Sequence, residues 1–146
     1  MSMVERAAAF FDEGYNCSQA ILATYGPALG LPRDLALRLA DSFGGGISGL
    51  GETCGAVSGA LMVIGLQNGR LEAQDIEAKD RTREAGQEFV KRFEARNGSI
   101  MCRALLACDI STPEGLARAR EEGLFAARCP ALVRSAAEIL EGIIQD

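Results

Sequence analysis

Not one histidine occurs among the 146 residues. The chain thus lacks the commonest metal ligand and the commonest general base. Cys-His and Ser-His nucleophilic pairs are excluded, as is any zinc site of mixed cysteine and histidine ligation. Covalent c-type haem, which needs Cys-x-x-Cys-His, is excluded with them. No Cys-x-x-Cys is present either, so a thioredoxin-type motif is absent. Tryptophan is missing and aromatic residues make up only 5% of the chain, so the core is to be built from Leu, Ile, Val, Ala and Phe in tight small-residue contacts. A basic excess is also lacking. The net charge of -5 argues against nonspecific binding of nucleic acid or of anionic membranes, both of which need basic patches. The best apolar run, Ala60 to Leu66, is far too short to span a bilayer, so no membrane insertion is expected. The first residues carry no basic segment followed by an apolar stretch and a cleavage site. A soluble, cytoplasmic protein is expected, and stable structural disulfides are uncommon in that compartment.

What the chain does have is cysteine, five in all. Four of them are predicted at helix starts. Cys17 follows Asn16, a strong capping residue; Cys54 closes a glycine-rich loop and opens an apolar run; Cys102 follows the break at Asn97-Gly98-Ser99; Cys129 precedes Pro130, which suits a first helical position. A helix start carries partial positive charge and free backbone N–H groups, which favour thiolate, the nucleophilic and metal-binding form. Cys108 is different: it lies late in its predicted short helix beside Asp109, and reads as a bystander.

Periodicity is helical almost throughout. The first helix is predicted over Met3 to Asp12, with Val4, Ala7, Ala8 and Phe11 on one face and a stop at Gly14. Asn16 caps the second, with Gln19 placed as in a capping box, and Gly26-Pro27 ends it. A third begins near Pro32, with Leu35, Leu39 and Phe43 as its buried stripe. After the loop from Gly44 to Gly51, a helix opening at Cys54 is apolar nearly all round and is expected to be central. A long charged helix covers about Ala73 to Arg96, turning Ile76, Phe89, Val90 and Phe93 inward. Ser99 precedes a short helix carrying Cys102, Leu105 and Leu106, and Ser111-Thr112-Pro113-Glu114 starts another. The last runs from Pro130 to about Ile144. No strand shows convincing alternation. The expected fold is all-α: one helical-bundle domain over residues 1–146, with a buried central helix following the glycine-rich loop. The long helix and the terminal helix offer faces for a homodimer.

The loop glycines do not read as a phosphate cradle, because no strand precedes them and no Gly-Lys-Ser/Thr follows. Their expected role is conformational. Gly45 and Gly46 allow a sharp turn, and Gly55 and Gly59 let another helix or a bound group come close. Glu13, Glu52 and Glu72 read as helix-start or surface carboxylates; Glu52, two residues before Cys54, is also placed to move a proton. Tyr15, close to Cys17, is a candidate to line a site.

Asn16-Cys17-Ser18-Gln19, Phe43-Gly44-Gly45-Gly46, Cys54-Gly55-Ala56-Val57-Ser58-Gly59 and Asn97-Gly98-Ser99-Ile100-Met101-Cys102-Arg103, followed by Cys129-Pro130, stand in this order. Together they resemble the C_GCAxxG_C_C family, named for its cysteine pattern and for a redox activity assigned to it in name only. The resemblance covers nearly the whole chain. It implies that Cys17, Cys54, Cys102 and Cys129 are the motif cysteines and that Cys108 falls outside the set. A similar helical module is joined to haem-binding segments in split-Soret-type cytochromes, with a non-haem iron centre. This chain has no haem attachment motif, so of that analogy only an iron–sulfur site transfers.

Three functions compete. The first is thiol–disulfide or electron transfer with an unidentified redox partner, with Cys54 as the low-pKa thiolate and Cys17 as its nearest partner. The second is a metal or iron–sulfur site ligated by Cys17, Cys54, Cys102 and Cys129, which cysteine-only ligation suits. The third is a helical interaction module without chemistry, such as a partner of a membrane transport system.

Overall fold

The computed structural model describes residues 1–144. Among them the chain forms eight α-helices and no strand beyond an isolated bridge between Thr53 and Met101. The helices are α1 (Met3–Asp12), α2 (Cys17–Tyr25), α3 (Arg33–Ala40), α4 (Gly55–Asn68), α5 (Ile76–Asn97), α6 (Cys102–Leu106), α7 (Pro113–Glu121) and α8 (Leu124–Ile144). No helix among the described residues is long and apolar enough to cross a membrane. The all-α expectation is met.

The centre of the bundle is a pair, α2 and α4, rather than α4 alone. Every residue of α2 is buried, and α1, α3, α4 and α8 pack around it. A local device starts α2: Asn16 Oδ1 accepts from the Gln19 N–H, while Gln19 Oε1 accepts from the Asn16 N–H, a reciprocal capping box. Small residues then set how near α4 can come. A methyl group built on Gly59 would lie 2.9 Å from the Ser18 carbonyl oxygen and 3.1 Å from Ile21 Cβ. Around this pair, Phe89 and Phe93 of α5 are fully buried and stack with ring centroids 5.9 Å apart. Each such burial stabilises by about 1.5–3 kcal/mol.

Three sequence expectations need correction. Helix α3 turns Ala36 and Ala40 inward, while Leu35 and Leu39 are 47% and 57% exposed and Phe43 falls in a 3-10 turn, Asp41–Phe43. The inward face meets fully buried α2, and Gln19 Nε2 donates to the Leu37 carbonyl across that contact. Ile76 is 55% exposed at the first position of α5, two residues before that helix reaches the core at Ala78. The last helix starts at Leu124, not Pro130. Gly123, with φ +64°, makes the break after α7, and α8 then carries Pro130 in its interior. The proline cannot donate to the Ala126 carbonyl. Half-buried Leu124 and Phe125, packed on the core, offset that lost bond.

Candidate functional site

A cavity of about 70 Å³ lies where α1, α2, the glycine loop, α6 and α8 converge. Cys17, Cys54, Cys102 and Cys129 all line it, together with Gly45, Gly46 and Gly55. Gly59 does not; it serves the α2–α4 contact instead. The remaining wall is Asn16 and the apolar side chains Phe11, Leu105, Leu106, Phe125 and Leu132. Phe11 was predicted only as a face of α1. Phe125 lay outside every predicted helix, and its one sequence signal was the Gly123 break just before it. Tyr15 is not part of the wall; its ring packs edge-on against Phe10, 5.7 Å away, with Arg33 beside both.

Backbone pairing clamps two of the cysteines together. The Cys54 N–H donates to the Ile100 carbonyl at 2.7 Å, and the Cys102 N–H donates to the Glu52 carbonyl at 2.6 Å. The Arg103 N–H and its Nε both donate to the Gly51 carbonyl at 3.1 Å, and the guanidinium pairs with the half-exposed Glu52 carboxylate. Glu52 is thus held at the surface by Arg103. The loop that this ladder anchors needs its glycines. Gly46 has φ +70°, and a methyl group there would lie 2.6 Å from Cys102 Cβ and 2.6 Å from the Glu52 nitrogen. Gly46 is the point at which the loop backbone passes directly under Cys102.

The helix-start expectation holds for three cysteines. Cys17 is the first residue of α2, Cys54 is the capping residue of α4, and Cys102 is the first residue of α6. Cys129 sits in the interior of α8, because the helix begins at Leu124. The expectation that such positions make low-pKa thiols holds for Cys54 alone. Its pKa is lowered, chiefly by the Cys17 thiol, which donates to it, and further by the backbone N–H groups of Ala56 and Val57, against the cost of burial. Cys17 is pushed well up, because its proton is held toward the sulfurs of Cys129 and Cys54 and because it is buried. Cys102 is pushed up to about 12, first by burial and then by the charges of Cys54 and Cys129, with Arg103 opposing. Desolvation and neighbouring sulfurs outweigh the helix ends at these two sites.

All five cysteines are free thiols and buried. Cys108 lies outside the cavity, just after α6, and its thiol donates to the Gly115 carbonyl at 3.2 Å. Among the described residues, no group of three or more Cys, Asp or Glu side chains is drawn close enough to form a metal shell. A larger open groove, about 780 Å³, runs between α4 and α5 past Leu61 and Val90 but contains no cysteine.

A helical fold in which four separated cysteines share one cavity defines a cysteine-motif protein rather than a two-cysteine oxidoreductase of the Cys-x-x-Cys type. Residues 15–143 match the family described as "Putative redox-active protein (C_GCAxxG_C_C)", and the chain belongs to it. Neither a curated protein nor a solved structure matches the chain.

Proposed function

We propose that the chain is a thiol-redox protein working through one dithiol–disulfide couple. Cys54 is the nucleophile and Cys17 its partner. The observation that carries this reading is that Cys17 and Cys54 line one buried cavity, where the Cys54 pKa is lowered by the Cys17 thiol and, against burial, by the N–H groups of Ala56 and Val57 at the start of α4. The thiolate is the attacking form, and the adjacent thiol is the group able to close a disulfide on it. Oxidation removes two electrons and the Cys17 proton from the thiolate–thiol pair and forms one S–S bond; reduction reverses this with electrons from a redox partner. Cys102 and Cys129 line the same cavity and hold their sulfurs against the couple. A cytoplasmic location fits a couple that starts from free thiols.

Differential alkylation with peptide mapping tests the proposal. Mild oxidation is expected to remove two alkylatable thiols and to link the Cys17 and Cys54 peptides. Four thiols unchanged in every redox state would refute it.

One observation favours a second reading. Four sulfurs around one cavity are twice what a dithiol couple needs, and they equal the ligand number of a tetrahedral thiolate site. The donor chemistry suits a soft ion or an iron–sulfur cluster, but the present spacing does not form a shell. We therefore rank this reading second and build no step on it. Anaerobic reconstitution followed by metal analysis and visible absorption decides: stoichiometric metal lost on Cys129→Ala supports it, and colourless, metal-free protein removes it.

A further inference from the structure

We propose that the oxidant taken up by this couple is hydrogen peroxide, a small uncharged hydroperoxide that enters the four-cysteine cavity and is reduced there by Cys54, with Cys17 as the resolving thiol. The proposal rests on the dithiol reading above and adds its substrate class.

Size is the first argument. The cavity measures about 70 Å³. An apolar cavity of about 150 Å³ is what takes a benzene ring, whereas about 10–15 Å³ of cavity is enough for one water molecule. Hydrogen peroxide, two oxygens across, fits; an oxidant carrying a ring or a peptide does not. Burial gives the same answer. Cys54 is 3% exposed and Cys17 9%, so the sulfurs offer no face to a protein disulfide, whose exchange needs direct access to the attacking thiolate. Charge narrows the choice further. The cavity wall holds no Lys or Arg, and its apolar side chains disfavour an anion such as oxidised glutathione. A neutral oxidant enters without that cost.

The step balances. The Cys54 thiolate attacks one peroxide oxygen, the O–O bond breaks, and Cys54 becomes the sulfenic acid while hydroxide departs. The Cys17 proton neutralises that hydroxide to water, which leaves Cys17 as thiolate. Cys17 then attacks the Cys54 sulfur, the S–O bond breaks, and the second hydroxide takes a proton from solvent. Two electrons pass from the two sulfurs to peroxide, giving one disulfide and two waters.

The test uses the fully reduced chain with hydrogen peroxide, cumene hydroperoxide, oxidised glutathione and diamide as probes, and N-acetylcysteine as the free-thiol reference. The expected result is one hydrogen peroxide consumed per two thiols lost, with Cys17 and Cys54 joined. The rate ratio of hydrogen peroxide to cumene hydroperoxide should exceed that of the free thiol by about tenfold or more. Phe125→Ala, at a half-buried wall position, and separately Leu132→Ala should lower the ratio by admitting the bulky oxidant. In Cys17→Ser, peptide mass mapping of the peroxide-treated chain should find one added oxygen, the sulfenic acid, on Cys54. A ratio equal to that of the free thiol, or an oxidised-glutathione rate matching the peroxide rate, overturns the peroxide proposal while leaving the dithiol reading in place. Failure of every probe, diamide included, to join Cys17 and Cys54 overturns both.

Discussion

The Cys17 thiol donates toward the Cys54 sulfur, and that single contact outweighs burial in setting Cys54 as the more acidic of the two. The relationship is reciprocal: the interaction that lowers Cys54 also raises Cys17, which Cys129 raises further. The first prediction follows from this interaction. Cys17→Ala removes the largest stabilising contact and should move the pH midpoint of Cys54 alkylation by iodoacetamide upward. Cys17→Ser keeps a donor at the same place and should restore most of the wild-type midpoint. An unchanged midpoint in both variants would show that the N–H groups of Ala56 and Val57 act alone.

Cys102 gives the opposite pH signature. Its pKa is raised from the ordinary value of 9.0 to about 12, with burial the main cause. The folded chain keeps this thiol protonated where the unfolded chain ionises it. Its stabilising contribution is therefore complete below the unfolded thiol pKa and is lost as pH rises toward the folded value. The slope is at most about 1.4 kcal/mol per pH unit. Thermal melts of the reduced chain should fall across this alkaline window, and Cys102→Ala should make the fall shallower. Cys17 and Tyr25, both also raised, add to the slope in the same direction.

Two glycines of α4 separate close packing from helix propensity. An interior glycine costs a helix about 1 kcal/mol relative to alanine. At Gly65 a methyl group meets nothing within 4 Å, so Gly65→Ala should stabilise the chain by about 0.4–1 kcal/mol. At Gly59 the methyl group would press on the Ser18 carbonyl at 2.9 Å. Overpacking of that kind costs about 1–3 kcal/mol and should exceed the propensity gain, so Gly59→Ala should destabilise. Urea titration of both variants reads the two signs directly.

How far the sequence carried the fold depended on whether the deciding interaction was local. Helices α1 and α2 were legible because Gly14, Asn16, Gln19 and Gly26 act within a turn of the residues they punctuate. The cysteine set was legible through its ordered motifs. The inward face of α3 was not, because the leucine pattern names the larger side chains while the helix buries Ala36 and Ala40 completely. Pro130 misled for a related reason: its local preference for a first turn is overridden by the core contacts of Leu124 and Phe125. The acidities of Cys17 and Cys102 were beyond reach, since both are decided by sulfurs from distant parts of the chain.

Glu52 remains the one carboxylate with a competing claim on the chemistry, and its partner argues against that claim. The Arg103 guanidinium holds it in an ion pair whose two side chains are 42% and 46% exposed. A pair so open to solvent contributes about 0–1 kcal/mol to stability. Glu52→Gln should therefore leave the melting temperature nearly unchanged. It should equally leave the pH profile of Cys17–Cys54 disulfide formation in place, because the proton that matters sits on Cys17. Arg103→Ala should do more harm than Glu52→Gln, because it also removes the bond from Nε to the Gly51 carbonyl that ties the glycine loop to α6. The expected order, wild type close to Glu52→Gln and both above Arg103→Ala in stability, is checked by thermal melts of the reduced proteins. A Glu52→Gln variant that slows disulfide formation with a shifted pH profile would instead make Glu52 the proton carrier.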